Sequence, residues 1–407
     1  MTGRAVAIIT AGFMTVSIAY AIRYCYGILL PEMVSELSIS KTEAGVVASA
    51  YFVAYTLFSP LLGLLSDRYN VRIILAIFTA LLSAAAFCMA FSGNVLTASF
   101  FFAVAGIGHA ACWVPVVSLV QRWVPDHRRG MALSVTTLGT GFGITIWSFL
   151  LPVLVGAYSW RAGWMALGVF GFCVALLNYI LVRSHPGDSG GRETKQQPSS
   201  MNLRWLTGVY RDLLREKKLW LIGLAYLLVG FTVLVPFTFL TAYAIEELAF
   251  SYGVAGRFFA AMAISGMAGK LLLGILSDSL GRIRVMIACG LLLGIGCLGM
   301  AFSRNLFVLF GFSVMFGLGW GAVWPVYAAS ARDFFLSDRS GSVIGLWTVF
   351  MGVGSVISPA LCGWTIDATG TYIYAFVLGC IGGILSALML IPIMHIPKVD
   401  NRTPHTV

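Results

Sequence analysis

Three side chains that carry, or can carry, a positive charge lie inside long apolar stretches of the sequence: Arg23, His109 and Lys270. An Arg or Lys at the centre of a bilayer costs about 2.5–3.5 kcal/mol, and such residues usually pair with an acidic side chain nearby. All 16 acidic residues of this chain, however, fall in predicted loops or at predicted helix ends. The sequence therefore predicts that a bound anion neutralises these bases.

The neighbours of these bases suit such a site. Tyr20 and Tyr24 share the helical face of Arg23, which favours a polar cavity over lipid. By the same spacing, Trp113 is predicted to share a face with His109. Aromatic rings can confine a small ligand while cations hold its carboxylate. The predicted site also includes three aromatic residues of the second half of the chain, Trp324, Tyr327 and Trp347.

Each base also has a purely structural alternative. Arg23 could extend its side chain toward one membrane interface and Lys270 toward the other, because each is within about 10 Å of the end of its apolar run. A lone buried histidine such as His109 could be a hydrogen-bonded core residue. The sequence leaves these alternatives open.

The chain that positions these residues is strongly apolar. Of its 407 residues, 59% are hydrophobic and 10% are charged, whereas soluble domains have about 25% charged residues. A soluble fold could not cover its surface with so few charges. The sequence therefore predicts a polytopic membrane protein.

Twelve apolar runs are long enough to cross a bilayer core about 30 Å thick, which needs about 20 residues per helix. They lie near residues 5–30, 43–65, 73–91, 95–120, 131–157, 162–182, 219–243, 254–276, 285–302, 306–330, 342–363 and 371–395. The predicted fold class is an all-α membrane protein with twelve transmembrane helices. The first run is too long for a cleaved signal peptide and has no cleavage site.

Most basic residues fall in the loops on one side of these spans. The positive-inside rule places those loops and both termini in the cytoplasm. The net charge of +10 then reflects topology and not nucleic-acid binding, and anionic lipid headgroups are its expected neighbours. We expect a monomer in the plasma membrane, which in a bacterium is the inner membrane.

A polar stretch at residues 184–218 separates six spans from six. The sequence thus predicts two six-helix bundles, at residues 1–183 and 219–397, and a cytoplasmic tail at 398–407. The end of the linker, NLRWLTGVYRDLLREKKLW, could form an amphipathic helix on the membrane surface. No metal, cofactor or catalytic motif is recognisable, so an enzyme is not expected.

The two halves of the sequence repeat each other. GLLSDRYNVR at 63–72 returns as GILSDSLGRIR at 274–284, an offset of 211 residues. Gly141 and Gly143 match Gly352 and Gly354 at the same offset. A Trp-Val-Pro sequence in the fourth span has a Val-Trp-Pro counterpart in the tenth. Three matches in register indicate two pseudo-symmetric copies of one six-helix unit.

On these features the chain resembles the major facilitator superfamily. The residues that carry the resemblance are Gly63, Asp67, Arg68 and Arg72, with the echo Gly274, Asp278, Gly281 and Arg282. Asn70 and Val71 replace the usual Gly and Arg, and Ser279 replaces the first Arg of the echo. Three further segments, AIRYCYGILLPEM, RRGMALSV and SWRAGW, resemble the bacterial monocarboxylate and oxalate–formate carriers. Lys270 stands where such carriers have an Arg that binds the substrate carboxylate.

The resemblance implies that the loop motif and its echo form a cytoplasmic gate. Asp67 ends the second span where the eleventh begins, and a carboxylate beside a helix N-terminus gains about 0.3–1 kcal/mol. Gly63 would let the helices approach closely. This contact forms only while the bundles touch on the cytoplasmic side, so it favours the outward-open state. Alternatively, Asp67 and Arg68 merely set topology.

The resemblance further implies a secondary carrier for a small organic anion such as a monocarboxylate. It would work by rocker-switch alternating access, without a cofactor, as proton symport through His109 or as exchange for a counter-anion. A carrier for sugar phosphates or inorganic anions would favour two Arg forks over one Arg and one Lys. A drug-efflux carrier would need an intramembrane acid. A membrane sensor would be expected to carry an additional signalling domain.

Overall fold

The computed structural model describes residues 3–183, 210–336 and 339–395, apart from the side chains of Gly63, Leu64, Ser66, Asp67, Arg68, Asp126 and His395. The described part is almost entirely helical. In chain order its helices are α1 (Gly3–Leu37), α2 (Lys41–Arg68), α3 (Val71–Met89), α4 (Val95–Ala110), α5 (Trp113–Trp123), α6 (Asp126–Ala157), α7 (Trp160–Leu181), α8 (Lys217–Glu246), α9 (Tyr252–Leu280), α10 (Arg282–Phe302), α11 (Leu306–Phe334), α12 (Ser340–Thr369) and α13 (Ile373–Leu390), which a 3₁₀ turn at Ile391–His395 extends.

Twelve segments of the described chain are long and apolar enough to cross a membrane. Every predicted span coincides with one of them, so the prediction of an all-α fold with twelve spans is confirmed. The fourth span consists of α4 and α5 together, and α13 continues into its 3₁₀ turn to complete the twelfth. Residues 210–215 of the predicted amphipathic segment are helical, whereas 202–209 lie outside the described residues.

The fourth span departs from the prediction. The sequence predicts an uninterrupted helix over 95–120, but the structure has a turn at Ala111 and Cys112 between α4 and α5. Pro115 has no N–H to donate to the carbonyl of Ala111, so a continuous helix would lose that hydrogen bond. His109 therefore lies in the last turn of α4 and Trp113 begins α5. The two residues do not follow one continuous helical face as predicted.

Polar caps determine where several helices begin. The hydroxyl of Ser40 accepts a hydrogen bond from the Glu43 N–H at 3.1 Å, and the Ser40 N–H donates to the Glu43 carboxylate at 2.8 Å. This capping box satisfies N–H groups that the first turn of α2 leaves unpaired. Asn94 and Asn305 cap α4 and α11 through their side-chain oxygens. The start of α2 is thus fixed by local sequence.

The chain divides into two compact units. Unit 1 comprises the described residues of Met1–Gln197 with Phe237–Ala263 and Pro359–Tyr372, and unit 2 comprises those of Pro198–Pro236, Ile264–Ser358 and Ile373–Val407. In unit 1, α1 packs on α6 and α7, α2 on α4, and α3 on α7. In unit 2, α10 packs on α11 and α13. Unit 1 therefore includes one end of α8, α9 and α12 as well as the first six spans.

One close helix contact occurs in equivalent form in each unit. A Cβ atom on Gly143 of α6 would lie 2.1 Å from the carbonyl oxygen of Ser17 in α1. A Cβ atom on Gly354 of α12 would lie 1.9 Å from the carbonyl oxygen of Leu227 in α8. Only glycine permits backbones to approach this closely. Because the sequence repeat matches Gly143 with Gly354, the packing supports a duplicated six-helix unit.

Candidate functional site

Arg23 is buried in unit 1 among aromatic rings. The residue is 4% exposed. Its guanidinium carbon lies 5.7 Å from the ring centroid of Tyr20 and 5.2 Å from that of Tyr24, both on α1. It lies 4.6 Å from the ring centroid of Phe52 and 5.0 Å from that of Tyr55, both on α2. We call these four rings the aromatic box.

Two helices supply the box. Tyr20, Arg23 and Tyr24 follow one another on a single face of α1, as their spacing predicts. The hydroxyl of Tyr26 donates to the carbonyl of Ala44 at 2.7 Å, and this hydrogen bond ties α1 to the first turns of α2. The rings of α2 then reach Arg23. Its high burial argues against the alternative that Arg23 extends to a membrane interface.

The guanidinium has donors without acceptors. The Nε and Nη1 atoms of Arg23 are buried and have no hydrogen-bond partner among the described residues. The ion pairs of the described chain do not involve Arg23 either. Four rings attract the cation through their quadrupoles, but a ring face cannot replace the acceptors that water would supply. The Nε and Nη1 atoms of Arg23 could therefore donate hydrogen bonds to an anion.

His109 adjoins the same box. It is fully buried, and its Nδ1 is hydrogen-bonded to the hydroxyl of Tyr51 at 2.5 Å. Its ring centroid lies 4.9 Å from that of Tyr20 and 5.3 Å from that of Tyr55. Two rings thus contact both Arg23 and His109. The structure brings together four residues of the predicted site: Tyr20, Arg23, Tyr24 and His109.

The contribution of α2 to the site was not predicted from the sequence. Tyr51, Phe52 and Tyr55 face Arg23 or His109, and Tyr51 and Tyr55 are one helical turn apart. Their spacing marks an aromatic face that could have been noticed. A Cβ atom on Gly106 would lie 2.3 Å from the Tyr51 carbonyl oxygen, so glycine allows α4 to approach α2 here. This approach places His109 within reach of Tyr51.

A second aromatic cluster occurs in unit 2. The rings of Tyr226 and Tyr327 are stacked with centroids 4.1 Å apart, and Trp324 meets Tyr226 edge-on at 5.7 Å. Trp347 is buried and donates from Nε1 to the carbonyl of Leu219 at 3.1 Å. Three predicted site residues, Trp324, Tyr327 and Trp347, line one cavity with Tyr226. Its free volume of about 20 Å³ holds about one water molecule.

Lys270 is half-buried on α9 in unit 2. One turn before it, a Cβ atom on Gly266 would lie 2.6 Å from the Trp320 ring. A Cβ atom on Gly269, the residue immediately before Lys270, would lie 2.1 Å from the Leu318 carbonyl oxygen. These two glycines let α9 pack closely on α11. Lys270 therefore lies on a helix that is tightly fixed to the helix carrying Trp324 and Tyr327.

The echo of the loop motif forms a charge cluster in unit 2. Arg282 pairs with Asp278 at 2.5 Å, and its Nε lies 4.0 Å from an oxygen of Asp333, which the sequence motif does not include. Gly274 has open space where a side chain would be. In unit 1, Arg72 donates to the carbonyl of Tyr179 at 2.6 Å. The side chains of Asp67 and Arg68, and the surroundings of Gly63, lie outside what the structure describes.

Comparison with known proteins decides the family. The family model described as Major Facilitator Superfamily matches residues 12–278 and 223–406. The chain belongs to the major facilitator superfamily. The resemblance drawn from the loop motif and its echo is therefore confirmed, and this superfamily member is a multi-pass integral membrane protein. Superfamily proteins are transporters and not enzymes.

Several curated relatives of this superfamily member match over nearly its whole length. It is 25% identical to the probable sulfoacetate transporter of Cupriavidus necator, over 95% of this chain and 93% of that one. It is 23% identical to the hexuronate transporter of Bacillus subtilis, over 97% and 95% of the two chains. Monocarboxylate transporter 12 of Xenopus laevis is 25% identical, over 73% of this chain and 67% of that one.

Solved structures support the same fold. A bacterial homolog of the human lysosomal transporter Spinster, in an inward-facing conformation, superposes with a TM-score of 0.76 at 14% identity, covering 96% of each chain. The nucleoside transporter NupG gives a TM-score of 0.78 at 12% identity, covering 95% of this chain and 99% of that one. At such low identity, these likenesses concern the fold alone.

Proposed function

We propose that this superfamily member is a secondary active transporter of a small organic anion with a carboxylate group, and that Arg23 binds that carboxylate. The observation that carries the proposal is the buried guanidinium in the aromatic box, with two donors lacking acceptors. An unsatisfied buried donor costs about 1–3 kcal/mol, and more when it is charged. A carboxylate would satisfy the donors and neutralise the charge together.

The relatives support an anionic substrate. The relatives are named as transporters of sulfoacetate, hexuronate, galactarate or D-glucarate, and monocarboxylates. These compounds differ in size and in their other polar groups, but each carries a carboxylate. A single Arg in an aromatic surrounding fits that common group better than it fits a phosphate, which favours several forked donors.

The second half of the chain would complete the site. In a carrier built from two related halves, the substrate binds near the bilayer midplane where the halves meet. Lys270 would supply a second cation there, and the cluster of Trp324, Tyr327 and Trp347 an apolar wall. The bundles at 1–183 and 219–397 would then alternate around the substrate, with both termini in the cytoplasm of a bacterial cell and the protein acting as a monomer.

His109 is the residue we assign to proton coupling. A histidine titrates near physiological pH when unperturbed, and this one touches the rings that enclose Arg23. Proton and anion would then enter together. Exchange of one anion for another is the alternative, and it would leave His109 without a part in coupling.

The proposal is tested by ligand-induced stabilisation of the purified protein. A ligand at one hundred times its Kd stabilises a protein by about 2.7 kcal/mol. We would screen lactate, pyruvate, oxalate, sulfoacetate, glucuronate, glucarate and phosphate against the wild type and Arg23→Gln, and follow hits by uptake into proteoliposomes. At least one carboxylate should stabilise the wild type and fail to stabilise Arg23→Gln. Equal stabilisation of both proteins would contradict the assignment.

A further inference from the structure

A carboxylate from the end of one helix caps the beginning of another in unit 1. Asp367, in the last turn of α12, accepts hydrogen bonds from the backbone N–H groups of Lys41 at 3.0 Å and Thr42 at 2.7 Å. It also accepts one from the Thr42 hydroxyl at 2.5 Å. Both N–H groups belong to the first turn of α2, where the helix dipole favours negative charge. The two helices come from different sequence repeats.

A second set of polar contacts lies beside this cap. The ammonium group of Lys41 pairs with one Glu246 oxygen at 2.5 Å, and the hydroxyl of Tyr372 donates to the other at 2.8 Å. Burial and the Glu246 carboxylate raise the pKa of the Tyr372 phenol, so it remains a donor. The backbone N–H of Tyr372 donates to Glu247. The start of α2 is thus connected to the end of α8 and to Tyr372, the residue immediately before α13.

The helices beneath these contacts touch backbone to backbone. A Cβ atom on Gly45 of α2 would lie 2.1 Å from the carbonyl oxygen of Pro359, and one on Gly363 of α12 would lie 2.2 Å from that of Lys41. The two helices are therefore fully closed on each other at this end. The polar groups above them lie nearer to water, since the side chains of Lys41 and Glu246 are 13% and 38% exposed. Water can replace such contacts when they separate.

We propose that Asp367 and the first turn of α2, together with Lys41, Glu246 and Tyr372, form a latch that holds this end of the transporter closed. We call the end of the transporter at which Lys41 lies the Lys41 end. The latch would have to break each time this end opens. Its arrangement reverses the contact expected of Asp67 from the sequence, in which an acid at the end of α2 would lie beside the start of the eleventh span. The pair α2 and α12 would thus carry one acid-to-helix contact at each end, and the two contacts would close in alternation.

The latch is tested by the distance between two labels that do not belong to it. Leu96 is 79% exposed at the start of α4, and Ser251 is exposed just before α9. In full-length protein with the eight native cysteines replaced, spin labels at these positions report separation at the Lys41 end. The latch variants are Asp367→Asn and Lys41→Gln. Glu32→Gln is the control, because it removes an exposed acid at the same end.

Both latch variants should increase the population with the longer label distance. Asp367→Asn should increase it about tenfold, because losing one charge-assisted hydrogen bond changes an equilibrium by about that factor. Glu32→Gln should match the parent. If both latch variants match the parent while remaining folded, as judged by monodispersity and thermal unfolding, the latch does not exist. The measurement needs no substrate, so a failure here is distinct from a failure of the carboxylate assignment, which only the Arg23 variant tests.

Discussion

Arg23 and His109 contact the same two tyrosine rings, those of Tyr20 and Tyr55. A guanidinium carries its positive charge at all physiological pH values. A proton on the imidazole would place a second positive charge in the same buried box, and the repulsion between like charges is strong where water is excluded. A bound anion would relieve that repulsion. The geometry thus gives a physical reason for proton and anion to bind together.

From this relationship we predict that His109→Gln flattens the pH dependence of uptake. The glutamine can still form a hydrogen bond with the Tyr51 hydroxyl but cannot take up a proton in this range. In the wild type, substrate affinity should rise as the pH falls from 8 to 5.5, and in the variant it should stay level. The measurement is uptake into proteoliposomes at a series of external pH values. If the two profiles coincide, the proton travels with the substrate or the carrier exchanges anions.

For Arg23 we predict that both Arg23→Gln and Arg23→Lys weaken substrate binding. Charge-assisted hydrogen bonds contribute about 1.5–3 kcal/mol each, which corresponds to roughly tenfold to a hundredfold in Kd. Arg23→Lys keeps the charge but loses the planar fork and its stacking on the rings, so it should recover only part of the affinity. Affinity is measured by titration of the best ligand from the screen. Wild-type affinity in Arg23→Gln would remove the main support for the site.

The prediction for Lys270 separates charge from geometry. Lys270→Gln should weaken binding by roughly tenfold or more, whereas Lys270→Arg should be tolerated, because the resembling carriers have Arg at this position and either residue supplies a cation. Lys218→Gln is a suitable control, since Lys218 lies at the start of α8 and pairs with Glu216. Wild-type affinity in Lys270→Gln would mean that Lys270 acts outside the binding site.

The sequence predicts the part of the site that depends on local geometry. Tyr20, Arg23 and Tyr24 belong together because helical spacing alone puts them on one face. Phe52 and Tyr55 could not be assigned to Arg23 in this way, since the rotation of α2 against α1 depends on packing between helices. The break before Trp113 was missed because proline within a span can either interrupt a helix or be accommodated. The counterpart Pro325 lies inside an unbroken α11.

The polar contacts of the Lys41 end were also beyond the sequence. Asp367, Glu246 and Glu247 are recognisable only as acids at the ends of apolar runs. Their hydrogen-bond partners are distant in sequence, and a single sequence does not indicate which distant residues come into contact. Similarly, Trp160 and Arg161 of the SWRAGW segment both bind the Glu36 carboxylate, at 2.6 Å and 2.9 Å. That segment therefore has a structural part in unit 1 that the resemblance alone did not reveal.

Close packing in unit 2 gives a prediction about stability. Gly354→Ala should lower the thermal unfolding midpoint, because the new methyl group would overlap the backbone of α8 at Leu227. Overpacking of this kind costs about 1–3 kcal/mol or more. Gly345→Ala on the same helix is the matched control, since no atom lies within 4 Å of a Cβ placed there. Equal unfolding midpoints for the two variants would show that α8 and α12 can move apart to accommodate the methyl group without a loss of stability.

The last prediction concerns the opposite end of the same two helices. Asp67→Asn should shift the transporter toward the state closed at the Lys41 end, because a neutral amide interacts more weakly than a carboxylate with a helix N-terminus. In the Leu96–Ser251 label pair, the longer-distance population should therefore fall, whereas Asp367→Asn should make it rise. Combining the two substitutions should return the distribution toward that of the parent, since each removes a comparable contact at one end. A longer-distance population that is unchanged in Asp67→Asn would leave the Asp67 side chain with a part in topology alone, and α2 and α12 would then carry an acid-to-helix contact at one end only.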